Sequence, residues 1–321
     1  MTCVQEAPPE LTEVEVLAVV RAAWNGGATA AEHLPVGFGA HHWRVDVDGE
    51  PCLFATYDRF GKRHTLDSLT AAYAGAVQLA DAGLEFVLAP VPTRDGQVLV
   101  PVAEGALSCT PWVDGREVGE GPVSDAETAA VNIADLARLH AVEPPADVPS
   151  WSPVVDTGVA DRLAGRVATA WSTGPYGEPA RQAIAGRLTA IEEWTGRYLE
   201  LAEAAVDRHW VVTHGETHTR NQVRTAGGIR FVDWESLKLA PRERDLSTLV
   251  QAGYGVRVNA DPDMVELYDL EWHLAEIAEY ADWFAAPHLG TTDERIAYGG
   301  LLAELSRGAW WPPARGSGAA T

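Results

Sequence analysis

The side chains best suited to chemistry lie in one loop and the hairpin after it. His214, Glu216 and Asn221 share the stretch His-Gly-Glu-Thr-His-Thr-Arg-Asn (214–221), and Asp233 closes the strand-like run Ile-Arg-Phe-Val-Asp (229–233). Transfer of a phosphoryl group to a hydroxyl needs a carboxylate near that hydroxyl and oxygen ligands for magnesium on the donor phosphates. Glu216 suits the first role, orienting the hydroxyl and accepting its proton. A Gly-Gly turn at 227–228 folds Asp233 back beside Asn221. The pair then offers two oxygens to a hard cation that completes its shell with phosphates and water.

Competing chemistries lack parts. His214-Gly-Glu216 matches the His-x-Glu of zinc deaminases, but no Pro-Cys-x-x-Cys follows. The zinc-protease His-Glu-x-x-His and the Gly-x-Ser-x-Gly elbow are both missing. Three scattered cysteines, Cys3, Cys52 and Cys109, form neither a zinc pattern nor a disulfide framework.

The elements that must position the loop can be read from periodicity. Residues 10–24 repeat at helical spacing. A glycine-rich segment with Gly37 and Gly39 precedes strand-like runs at 44–47 and 51–57, joined by an Asp48-Gly49 turn. A helix over 67–82 is expected, with Asp67 as N-cap and Gly83 as stop. Strand-like pieces follow at 85–89, 97–102 and 106–110. Helices are expected at 125–140 with Asp125 as cap, at 179–205 and at 263–285, and strands return at 209–213, 221–225 and 229–233. The expected fold is α+β and bilobal: a small β-rich N-lobe over 1–108 and a larger helical C-lobe over 109–321. The 315–321 tail reads as disordered.

Charge narrows the partners. The 321-residue chain carries a formal net charge of −22, which argues against nucleic acid and anionic membrane and suits a cationic small molecule. No apolar run is long enough to span a bilayer, and the N-terminus lacks a signal-peptide pattern. A cytoplasmic enzyme is expected.

At the loop and hairpin the chain resembles the aminoglycoside phosphotransferase family, in the branch near spectinomycin phosphotransferases. The family's His-Gly-Asp-x-His-x-x-Asn loop stands here with Glu216 for Asp. Val-Asp-Trp-Glu (232–235) matches its magnesium motif, and Leu-Ala-Pro-Arg-Glu-Arg-Asp-Leu (239–246) and Leu-Ala-Arg-Leu-His (136–140) match flanking segments. The resemblance implies a protein-kinase-like fold and phosphorylation of a small-molecule hydroxyl by ATP or GTP with Mg2+. It implies that Asn221 and Asp233 bind the metal, that His214 shapes the loop and that Asp245 ties the helical lobe to it. It also implies an acceptor pocket with acidic and aromatic side chains, for which Glu235, Tyr268, Glu271, Trp272 and Trp283 are candidates.

The nucleotide lobe departs from the pattern. A kinase strand carries a Lys for the phosphates, paired with a helix Glu. Thr56 stands near the Lys position, and the helix over 67–82 has no Glu. His41, His42, Arg44, Lys62 and Arg63 are alternative phosphate donors beside Gly37 and Gly39, and Thr110 and Trp112 are candidates for the nucleotide at the connector. The acceptor expected is an aminoglycoside or aminocyclitol, or a capuramycin-type nucleoside, giving resistance or self-resistance. The alternatives are a catalytically impaired nucleotide- or ligand-binding relative and a metabolic small-molecule kinase.

Overall fold

The computed structural model describes residues 6–306 except Phe38, Lys62, Glu120 and Ser124. Lys62, Cys3 and the 315–321 tail therefore lie outside the described residues. The chain divides into two compact units. Among the described residues, the first comprises 6–151 together with Trp210–Tyr254; the second comprises Ser152–His209 together with 255–306. The lobe boundary expected at 108/109 falls inside the first unit.

The first unit opens with α1 (Glu13–Ala23), then β1 (Ala28–Leu34), β2 (His41–Val47) and β3 (Glu50–Arg59). Thr12 and Glu15 form a capping box that starts α1. Asp48 and Gly49 both take positive φ, 53° and 86°, which gives the β2–β3 turn the twist a tight hairpin needs. Next come α2 (Leu66–Asp81), β4 (Val100–Val102), β5 (Gly105–Pro111), β6 (Gly115–Glu117) and α3 (Ala126–Leu139). Strands β1 to β5 form one sheet in the order β1-β2-β3-β5-β4. One face of it, carrying Trp43, Val45, Ala55, Tyr57 and Cys109, packs with Val16 and Val20 of α1 into a dry core.

The second unit begins with α4 (Val159–Val167), α5 (Gly177–Ala185) and α6 (Leu188–Ala205). The chain then returns to the first unit for β7 (Trp210–Thr213), β8 (Gln222–Thr225), β9 (Gly228–Phe231), β10 (Lys238–Pro241) and α7 (Ser247–Gln251). It ends in the second unit with α8 (Pro262–Ala285) and α9 (Thr292–Leu305). The α8 stripe Leu267, Leu270, Leu274, Ile277 and Ala281 is wholly buried. Each of its larger side chains is worth about 1.5–3 kcal/mol of burial. Among the described residues no helix is long and apolar enough to cross a membrane.

The chain is α+β, with sheet in its N-terminal region and helices in its C-terminal region. Several local expectations need correction. The N-cap of α2 is Thr65, paired with Ser68, and Asp67 sits in the first turn. The helix expected over 179–205 is two helices, because the chain turns at Gly186 and Arg187 before α6 begins. Residues 85–89 form no strand; Phe86 and Leu88 instead bracket Phe231 with two backbone hydrogen bonds of 2.7 and 3.0 Å. Gly186 fits its break, being a poor helix former.

Candidate active site

The hairpin that leads to Asp233 is part of a three-stranded sheet in the order β6-β8-β9. Gln222 pairs with Phe231, and the Val232 N–H donates to the Asn221 carbonyl at 3.0 Å. Asp233, the next residue, turns the chain in a left-handed conformation with φ 61° and ψ 65°. Strand pairing thus carries Asp233 back toward Asn221, as the Gly-Gly turn predicts.

The loop before β8 is fixed from both sides. His214 is fully buried; its Nδ1 accepts from the Glu216 N–H at 3.2 Å, so its Nε2–H donates to the Val232 carbonyl at 2.8 Å. Loss of hydration holds its pKa below the ordinary histidine value, which makes it a neutral strut. Asp245, fully buried, takes the N–H groups of His214 and Gly215 at 3.1 and 2.6 Å and the His140 ring at 2.9 Å. The Asn221 side-chain amide donates to the Glu216 carbonyl at 3.1 Å. That bond commits Nδ2 and leaves Oδ1 as the oxygen available to a cation.

The carboxylates near Asp233 crowd one another. Burial first, and then the charges of Asp58, Glu216 and Glu117, push the Asp233 pKa up to about 7. Glu235 is raised well above the carboxylate range by burial, then by Asp233, Glu216 and Asp58. Asp58 is raised to about 6 by burial, against a hydrogen bond from Tyr73. A divalent cation bound at Asp233 would relieve this repulsion. Among the described residues no three His, Cys, Asp or Glu side chains form a closed metal cage. Magnesium takes few protein ligands beside phosphates. Asn221 and Asp233 are the residues that would hold it.

The β1–β3 sheet sorts the nucleotide candidates by face. Thr56 pairs with His42, Phe54 with both Arg44 and Thr110, and cross-strand partners share a face. The rings of His42, Phe54 and Trp112 run on across that face, 4.9 and 6.3 Å apart. His42 is buried under the loop: its ring lies where a Cβ on Gly37 would stand, and its Nδ1 meets Thr56 Oγ1 at 3.1 Å. Burial holds its pKa down to about 3, so it is neutral. Arg44 is engaged by Glu32 and Asp46 at 2.8 and 2.9 Å. His41 lies on the opposite face, beside Tyr57 and Trp43. Gly37 and Gly39 both take positive φ in the turn from β1 to β2. The structure thus gathers His42, Arg44, Thr56, Thr110 and Trp112 and separates His41.

Among the acceptor candidates, Glu235 belongs to the first unit, while Tyr268, Glu271, Trp272 and Trp283 stand on α8 of the second. Tyr268 is buried, Glu271 accepts from the Tyr198 hydroxyl at 2.6 Å, and Trp283 stacks near Phe284 at 6.1 Å. Two residues escaped the sequence reading. Asp58 follows Phe54 and Thr56 on the same face of β3, and strand alternation carried one turn further would have found it. Ser236, whose hydroxyl donates to Glu216 Oε1 at 3.2 Å, left no such signal.

With this geometry, the chain matches the phosphotransferase enzyme family (APH) over residues 32–283. It is 32% identical over 255 residues to Protein StrN of Streptomyces griseus, covering 72% of this chain and 76% of that one. Among solved structures it is similar to spectinomycin phosphotransferase APH(9)-Ia in complex with ADP and spectinomycin, at a TM-score of 0.72 and 13% identity, covering 94% of this chain and 96% of that one. It is also similar to amicoumacin kinase hAmiN in complex with AMP-PNP and Ca2+, at 0.56 and 11%, covering 92% and 93%. The fold is therefore protein-kinase-like. The chain belongs to the phosphotransferase enzyme family and is an enzyme that transfers a phosphoryl group to a hydroxyl.

Proposed function

We propose that the enzyme moves the γ-phosphoryl group of ATP or GTP to a hydroxyl of a small polar antibiotic, an aminoglycoside or aminocyclitol, giving resistance or self-resistance. A capuramycin-type nucleoside is the second acceptor class. The observation that carries the reading is the bond from Asn221 Nδ2 to the Glu216 carbonyl, which ties the residues that would serve as base and metal ligand into one loop. Glu216 would orient the acceptor hydroxyl and take its proton as the new oxygen–phosphorus bond forms and the bond to the departing nucleoside diphosphate breaks. Magnesium, held by Asn221 and Asp233, would supply charge neutralisation at the phosphates. Gly37 and Gly39 with the face of His42, Thr56, Thr110 and Trp112 would receive the nucleotide. The likeness in fold to a spectinomycin phosphotransferase supports the acceptor class, as does the net charge of −22, which favours cationic acceptors.

One observation favours a second reading, a nucleotide- or ligand-binding relative with impaired catalysis. A buried carboxylate, Asp58, shares the strand face of Thr56, near which a kinase carries its phosphate-binding Lys. A single experiment separates the two. The protein is incubated with magnesium, ATP or GTP, and spectinomycin within a panel of hydroxylated antibiotics, and the products are weighed. A gain of roughly 80 daltons on an acceptor marks transfer of one phosphoryl group. Glu216→Gln should lower that transfer by about 100-fold or more. Nucleotide binding with no transfer to any acceptor would establish the second reading instead.

A further inference from the structure

Glu216 is one methylene longer than the Asp usual in such loops, a difference in reach of about 1.5 Å. The backbone at Glu216 is held at both of its polar groups. The Glu216 N–H is held by His214 Nδ1 at 3.2 Å, and its carbonyl by Asn221 Nδ2 at 3.1 Å. The side chain also has an extra rotor, which left free would spread the carboxylate over several positions. Misplacement by about 1 Å can cost a hundredfold in rate. Something must fix the carboxylate, and Ser236 is placed to do it: its hydroxyl donates to Oε1 at 3.2 Å. A second nearby group, His218 Nε2, stands 3.8 Å from Oε2, beyond hydrogen-bond reach.

Ser236 is itself rigidly carried. It closes the short turn Trp234–Ser236 that follows Asp233. Trp234 is buried, its indole N–H donates to the Phe231 carbonyl at 2.8 Å, and its ring meets His214 at 4.5 Å. Leu237, on the other side, is fully buried. We propose that Ser236 is a positioning residue for phosphoryl transfer: it engages Oε1 of Glu216 and so presents Oε2 to the acceptor hydroxyl. This inference rests on Glu216 being the base.

The test measures kcat and KM for magnesium-ATP and magnesium-GTP, with spectinomycin as acceptor and with water alone, where phosphate release is the readout. Ser236→Ala should lower kcat by about tenfold while KM for nucleotide holds within about twofold, since the bond orients the base and not the donor. Ser236→Thr, which keeps the hydroxyl, should restore most of kcat. In a Glu216→Asp background the carboxylate falls short of Ser236, so Ser236→Ala should cost nothing further. Unchanged kcat in Ser236→Ala overturns the inference and leaves the base intact. So does an equal loss in the Glu216→Asp background, or failure of Ser236→Thr to recover, either of which marks a structural role. Full turnover in Glu216→Gln, or none in the unaltered protein with water or any acceptor of the panel, overturns both the base and the inference.

Discussion

Tyr73 of α2 donates its hydroxyl to Asp58 of β3 at 2.7 Å, and both side chains are buried. A kinase lobe links this strand to this helix through a Lys and a Glu; here a phenol and a carboxylate make the link. The bond opposes the cost of burying the Asp58 charge. Tyr73→Phe leaves that carboxylate without its donor and should lower stability by about 1–3 kcal/mol. Adding Asp58→Asn, which removes the charge, should recover part of the loss. Denaturant titration of the four proteins in a double-mutant cycle checks this, and additive effects would show that the pair is not coupled.

Gly215 answers to two constraints at once. Its φ is +97°, and a Cβ there would stand 2.2 Å from the Arg244 guanidinium carbon. Arg244 cannot swing aside freely, because its Nη1 donates to Thr213 Oγ1 at 2.9 Å. Gly215→Ala should therefore cost about 1–3 kcal/mol and, by shifting Glu216, most of the turnover. Adding Arg244→Ala relieves the clash but not the backbone strain. The double variant should stay less stable than Arg244→Ala alone, as thermal denaturation would report.

Asp245 gathers three donors from two segments: the His214 and Gly215 N–H groups and the His140 ring. Burial raises its pKa, but the bond and charge of His140 and the further bonds outweigh this and leave it below the ordinary value. Asp245→Asn presents one acceptor oxygen where two are used and turns an amide N–H toward a donor. It should destabilise the fold by about 3 kcal/mol and slow transfer through disorder of the loop. A variant with wild-type melting temperature would show that the loop is held by other means.

What the sequence revealed and what it hid divide along physical lines. Asn221, Asp233 and the Gly-Gly turn were legible because hairpin pairing fixes which residues return beside each other. The α8 stripe was legible from its period. The Asp58–Tyr73 bond is hidden because periodicity ends β3 at Tyr57, whereas it runs to Arg59, and because the kinase pattern draws the eye to Thr56, two residues before the carboxylate. Strand alternation also separates His41 from His42, a distinction that adjacency in sequence conceals. The brace of Ser236 on Glu216 spans 20 residues and depends on side-chain reach, which no spacing rule encodes.

In the second unit, His273 of α8 stands between two carboxylates, Asp269 at 3.5 Å and Glu304 of α9. Burial lowers its pKa, but the bonds and charges of Asp269 and Glu304 prevail and raise it to about 9. The fold therefore favours protonated His273. The stability this supplies is fully present below the unfolded value of about 6.5 and is lost as pH rises through about 9. The contribution at neutral pH is on the order of 2–3 kcal/mol, with the lost ring hydration already included in the raised value. Melting temperature should accordingly fall between about pH 6.5 and 9 in the unaltered protein. His273→Gln should melt lower at pH 6 and show a flatter profile across that window. An equal slope in both proteins would mean that another group titrates there and that His273 does not hold α8 to α9 by its charge.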